Sequence, residues 1–240
     1  MKSLNEIKNI LEKTGKYYVA FVGDSITSCE WVHPNWRDIV IYVLQDKLCD
    51  MVENWRIASW GIRGFNFGFD GATTRDVLGK LPEVLAIKPN LVIGMMGGND
   101  PILGVSAGES GNNIQKIVGE IINTGASVVW CTSVYSGSEK KNRAYSPFAD
   151  ETMKVVDRDG LQKIDMFDRF KKYSLERFYT FRSEEIPEED IKEGEIDQIH
   201  PNQLGNAYIA KLILSEAFAI EFDPEKYIKE TIGGEKYPGY

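Results

Sequence analysis

Ser25, Asn99, Asp197 and His200 stand far apart in this 240-residue chain, yet their types and settings could combine into a nucleophile, a base and an anion-stabilising donor. Ser25 follows the apolar run Tyr17-Tyr18-Val19-Ala20-Phe21-Val22 and then Gly23-Asp24. Such a run reads as a buried strand, and in open α/β sheets ligands bind just beyond the carboxyl ends of the strands. A serine there can be a nucleophile; the competing reading is that Asp24 or Ser25 caps the next helix. A base must then be found, and the chain holds only two histidines, His33 and His200. In Asp197-Gln198-Ile199-His200-Pro201 an acid and an imidazole lie three positions apart at a loop-to-helix junction. A turn of chain at that spacing can set Asp197 against the imidazole Nδ1 and leave Nε2 to take a serine proton. The plainer alternative is a loop acid followed by a surface histidine.

Two further segments could stabilise the negative charge that such an attack creates. Leu91-Val92-Ile93-Gly94-Met95-Met96 reads as a second buried strand, and it ends in Gly97-Gly98-Asn99-Asp100. The Asn99 amide can donate to a developing oxyanion without adding charge. Asn and Asp in such a turn more commonly bond their own backbone. In Asn66-Phe67-Gly68-Phe69-Asp70-Gly71-Ala72-Thr73-Thr74, Gly71 can present a backbone N–H, or it can simply make a turn before Thr73 or Thr74 caps a helix. His33 lies in the aromatic loop Glu30-Trp31-Val32-His33-Pro34-Asn35-Trp36, which either lines a substrate pocket or packs on the sheet.

The elements that must position these residues alternate. Strand-like runs fall at Tyr17 to Val22, around Trp55 to Trp60, at Leu91 to Met96, at Ser127 to Val134 and around Leu161 to Phe167. Helical patterns occupy Trp36 to Cys49, Thr74 to Ile87, Asn112 to Asn123, about Pro147 to Val156, and Gln203 to Phe218. Ser3 followed by Glu6 fits a capping box opening an amphipathic helix at the amino terminus. This alternation predicts an α/β fold, a parallel sheet covered on both faces by helices, in one domain over residues 1–240. Ser136 to Ala144 reads as an exposed polar loop, Arg182 to Glu195 as an acidic surface stretch that could serve as a lid, and residues 223–240 as a peripheral tail.

Composition narrows the partners. A net charge of -8 and the lack of a Lys/Arg stripe argue against nucleic acid. No apolar stretch approaches the roughly 20 residues of a membrane span, and the amino terminus lacks a signal peptide's apolar centre, so a soluble cytoplasmic protein is expected. Cys29, Cys49 and Cys131, odd in number and far apart, suit a reducing compartment and read as packing residues. Glycine-rich nucleotide-binding motifs are missing.

Taken together, Gly23-Asp24-Ser25, Gly97-x-Asn99-Asp100 and Asp197-x-x-His200-Pro201 resemble the motif blocks of the GDSL, or SGNH, hydrolase family of esterases and lipases. The resemblance runs from Gly23 to the last helix. It departs at Asp70, where a small hydroxyl residue often precedes the glycine. The resemblance implies a three-layer α/β/α, flavodoxin-like sheet of five parallel strands. It also implies Ser25 as nucleophile, His200 as general base, Asp197 as its orienter, and an oxyanion hole of the Ser25 and Gly71 N–H groups with the Asn99 side chain. Its expected reaction is cleavage of a small carboxylic ester through an acyl-enzyme, with no metal or organic cofactor. Sugar acetates or short-chain esters are the expected substrates. Longer-chain lysophospholipids, thioesters and a non-catalytic binding module on the same fold remain as alternatives. The chain could also form a homo-oligomer.

Overall fold

In a computed structural model, which describes residues 3–28, 32–185 and 192–231, five parallel strands form one sheet. The strands are β1 (Tyr17–Gly23), β2 (Ile62–Gly68), β3 (Leu91–Met96), β4 (Ser127–Thr132) and β5 (Leu161–Ile164), in the order β2-β1-β3-β4-β5. That order is the flavodoxin-like one, and it places a topological switch point where β1 sits between β2 and β3.

Strand side chains alternate faces, and the core divides accordingly. Tyr17, Val19, Phe21, Leu91, Ile93 and Met95 join one apolar cluster. It is completed by α1 (Leu4–Thr14), α3 (Trp36–Cys49), α4 (Trp55–Gly61), α8 (Met166–Phe170) and α9 (Gln203–Phe218). Ala20, Val22, Val92, Met96, Val128 and Trp130 face the other way, against α5 (Thr74–Ala86) and α6 (Ala107–Asn123). Both faces of β1 and β3 are therefore buried, which is why those strands read as unbroken apolar runs.

Local signals fix the helix starts. Ser3 and Glu6 make the capping box their spacing predicts. Asn35 with Asp38 and Thr73 with Asp76 make two more, opening α3 and α5. Both of those helices enter directly from loops that lead away from the carboxyl end of the sheet.

Several elements differ from the sequence reading. Residues 55–60 are helical, not extended: Asn54 accepts a hydrogen bond from Arg56 N–H and starts α4, and the strand begins only at Ile62. Trp55 and Trp60, which suggested a buried strand, are exposed and lie edge to face, 6.4 Å apart between ring centroids. The polar run at 136–144 is a loop only to Ser138, which caps α7 (Glu139–Lys154). Its Glu, Lys and Ala residues are good helix formers, and Pro147 lies inside the helix rather than at its start. Likewise α6 opens at Ala107 behind the Ser106 cap, ahead of the expected Asn112. The fourth strand stops at Thr132, and the fifth stops at Ile164 because Asp165 caps α8 within what was read as strand. The expected tail contains α10 (Pro224–Thr231), tied back by Tyr208 and Arg177 hydrogen bonds to Glu225; residues 232–240 lie outside the described residues. Cys29, Trp31 and the centre of the acidic stretch, residues 186–191, also lie outside them. The flanks of that stretch pair through Ser183 N–H to the Glu195 carbonyl and an antiparallel bridge between Arg182 and Ile196. No described helix is long and apolar enough to cross a membrane.

Candidate active site

Ser25 opens the single helical turn α2 (Ser25–Ser28) at the carboxyl end of β1. Gly23 makes that turn possible: a Cβ there would lie 2.3 Å from both the Met95 carbonyl and the Thr27 hydroxyl, so β1 can approach β3 only without a side chain. Asp24 takes up the capping role considered for this segment, its Oδ1 accepting from Ile26 N–H at 3.1 Å. Ser25 is thereby left to face the cavity, where its Oγ lies 2.8 Å from His200 Nε2.

His200 is oriented from its other side. Asp197 Oδ2 lies 2.7 Å from His200 Nδ1, while Asp197 Oδ1 accepts from the backbone N–H groups of Ile199, at 2.8 Å, and His200, at 3.0 Å. Burial opposes ionisation of Asp197. The hydrogen bond and charge of His200, with the two backbone donors, outweigh it and hold the carboxyl below its usual range. The turn is anchored further by Asp197 N–H on the Phe181 carbonyl and Gly137 N–H on the Gln198 carbonyl, both main-chain bonds to neighbouring loops.

Gly71 and Asn99 line the same cavity as Ser25 and His200. Gly71 has φ +71°, the left-handed region, so the turn after β2 needs a glycine, and Thr73 caps α5 just beyond it. One N–H of the Asn99 amide donates to the Ala72 carbonyl at 3.1 Å, which fixes the amide plane. A primary amide carries two donors, so the second is left for a ligand. Asp100 bonds Thr74 rather than its own backbone: Oδ1 accepts from Thr74 N–H at 2.8 Å and Oδ2 from the Thr74 hydroxyl at 2.9 Å, with Asp100 fully buried. This bridge joins the loop after β3 to the start of α5, and so sets Asn99 against Gly71.

His33 belongs elsewhere. Its side chain is 82% exposed, with Nδ1 3.3 Å from Asp38, in a groove beside Tyr42 and Gln45 that does not include Ser25. Trp36 is fully buried, edge to face with Phe21, and its indole N–H donates to the Ile26 carbonyl.

Support for the site also comes from the aromatic loop read at the sequence level, and from Arg37 and Asn206, which the sequence did not single out. Asn35, Trp36 and Arg37 donate to the carbonyls of Ile26, Thr27 and Ser28, holding α2 from its carboxyl end. Buried Asn206 accepts from Trp36 N–H and donates to the Pro201 carbonyl at 2.8 Å, linking the residues that hold α2 to the histidine loop. The available sequence signal was Asn35 at an N-cap three residues before an acid; nothing local marks Asn206.

Asp24 is buried beneath the cavity, and burial pushes its carboxyl up to about 6 against the Ile26 hydrogen bond and the facing His200. Among the described residues no group of His, Cys, Asp and Glu side chains has the makings of a metal site. The arrangement can pass a proton from a serine hydroxyl to an imidazole whose far nitrogen faces a carboxylate, beside a neutral amide donor.

Comparison with known proteins bears on the fold and the family. A catalytic mutant of Axe2, an acetylxylan esterase from Geobacillus stearothermophilus, superposes with a TM-score of 0.64 at 21% identity, over 83% of this chain and 93% of that one. The structure of Axe2 itself gives 0.60 at 21% identity, over 87% and 95%. LAE5, an alpha/beta hydrolase from the metagenome of Lake Arreo, Spain, gives 0.62 at 19% identity, over 83% and 94%. These likenesses establish the fold. A search of curated proteins finds no match. The GDSL-like Lipase/Acylhydrolase family matches residues 21–208, a stretch that begins in β1 and ends in α9, and the chain accordingly belongs to that family and is an ester hydrolase.

Proposed function

We propose that this chain hydrolyses short-chain carboxylic esters, acetyl esters of small hydroxylated molecules foremost, by an acyl-enzyme mechanism. The observation that carries the reading is the continuous relay from Asp197 through His200 to Ser25, with polar contacts of 2.7 and 2.8 Å.

Ser25 Oγ attacks the ester carbonyl carbon while His200 Nε2 takes its proton. The carbonyl oxygen becomes an oxyanion, received by the Ser25 and Gly71 N–H groups and the Asn99 amide. Collapse breaks the bond to the alcohol oxygen, which leaves with the proton held by His200. Water then attacks the acyl-enzyme, gives its proton to His200, and releases the carboxylic acid as Ser25 recovers its own. Asp197 keeps the imidazole in the tautomer that accepts at Nε2 and stabilises the imidazolium. Each step uses only these side chains, the backbone and water.

Preference for a short acyl group rests on the size of the cavity. It measures about 170 Å³, below the roughly 300–1,000 Å³ typical of sites for drug-sized ligands. Ile26, Ile102, Val134 and Ile199 give it apolar wall beside the polar groups. The acetylxylan esterase activity of Axe2 is consistent with an acetyl group on a sugar. The test is a p-nitrophenyl ester series from acetyl to palmitoyl beside acetylated sugars, with Ser25→Ala as control. Highest kcat/KM at acetyl, falling with chain length, is expected; a maximum at long chains would replace this reading with a lysophospholipase or thioesterase.

A further inference from the structure

The side chain that immediately precedes Gly71 has no place in the relay, although it lines the same cavity. Asp70 is an exposed carboxylate on the cavity wall, and its Oδ1 is held by the Ser28 hydroxyl, in the same helical turn that begins with Ser25. It is thus tied to the nucleophile's own turn. A carboxylate offers about four lone-pair sites, and Ser28 occupies one of them.

Its neighbours make that charge decisive. Asp24, the other carboxylate lining the cavity, is buried and commits Oδ1 to Ile26 N–H. The hydroxyls of Ser133 and Ser136 donate to the backbone carbonyls of Val134 and Ser138. No Lys or Arg lines the cavity among the described residues. A phosphate- or carboxylate-bearing substrate would therefore meet Asp70 without a counter-charge, whereas a hydroxylated one would find an acceptor.

We propose that Asp70 sorts esters at this site: it accepts hydrogen bonds from the hydroxyls of a neutral polyol ester and repels esters bearing an anionic group near the scissile bond. This rests on the ester-hydrolase reading of Ser25 and His200 and adds what the pocket selects outside the acyl group.

The experiment compares two matched substrate pairs on wild-type protein and Asp70→Asn. One pair is methyl 4-acetoxybenzoate and the 4-acetoxybenzoate anion; the other is methyl 6-O-acetylglucoside and cyclohexylmethyl acetate. Comparing the kcat/KM ratio within each pair between the two proteins cancels differences in intrinsic reactivity. The neutral-to-anionic ratio should fall roughly tenfold in the variant, the size expected for one unit charge a few ångströms away when water screens it, as it does at exposed Asp70. In wild type, added salt should raise kcat/KM for the anion, and the variant should show a weaker dependence. The preference for the glucoside should also fall. Ratios and salt dependence that match between wild type and variant would overturn the proposal. If wild type turned over none of the four esters, the ester-hydrolase reading itself would fail. Asp70→Ser, which removes the charge and keeps a polar side chain, supplies the same comparison if Asp70→Asn does not fold.

Discussion

Asp24 should make this protein lose stability as pH rises, in a window where carboxylates usually add it. Its carboxyl is held at about 6 in the folded protein against an ordinary value of 3.8, with burial as the main cause, so the folded state binds the Asp24 proton more tightly than the unfolded chain does. Stability therefore falls as pH climbs from about 4 to about 6 and levels off above. The full effect is about 2 pH units, on the order of 3 kcal/mol, of which about 2 kcal/mol falls between roughly pH 4.5 and 7.5. Asp24→Asn cannot titrate, and subtracting its stability from that of wild type removes the other groups that titrate over this range. Only the facing His200 and Asp100 remain coupled to the change. Urea unfolding at the two pH values should show the wild type losing about 2 kcal/mol relative to the variant. With a urea slope near 2 kcal/mol/M, that is roughly a 1 M shift in the difference between midpoints. A difference that stays flat, or grows in favour of wild type, would refute the claim that Asp24 is desolvated beneath the cavity.

Other substitutions probe the site's framework. Asn99→Ala should lower kcat by about 100- to 1000-fold, and Asn99→Asp, which sets a negative charge beside the oxyanion, should lower it further; an unchanged kcat with acetyl esters would remove Asn99 from the oxyanion hole. Asp100→Ala strips the start of α5 of two buried hydrogen bonds, so unfolding in urea should show a loss of about 3 kcal/mol, and kcat should fall as the Asn99 turn loosens. Full stability in that variant would mean the bridge does not hold the two loops together.

The parts of the site carried by buried strands were the most legible. β1 and β3 are apolar on both faces and stop at glycine-rich turns, so their ends, and with them Ser25 and Asn99, could be located from residue types alone. β2 was not legible, because it is an edge strand in which Arg63, Gly64 and Asn66 are exposed, while the tryptophans that resembled a strand sit on the surface of α4. Helix starts hidden in polar sequence, at Ala107 and Glu139, were missed because capping by Ser106 and Ser138 outweighs the lack of an apolar stripe in their first turns. The spacing of Asp197 and His200 was readable. That the pair meets Ser25, 175 positions away from His200, is a product of the sheet order and of Asn206 holding the last loop against α3.

The proposed mechanism requires Ser25 to be a nucleophile activated by His200. The most direct measurement is the intact mass of the protein after exposure to a fluorophosphonate probe, for wild type, Ser25→Ala, His200→Ala and, as a control outside the cavity, His33→Ala. One adduct mapping to Ser25 is expected in wild type and in His33→Ala, with none in Ser25→Ala and labelling slowed by orders of magnitude in His200→Ala. An adduct that persists in Ser25→Ala, or labelling lost in His33→Ala and retained in His200→Ala, would contradict it.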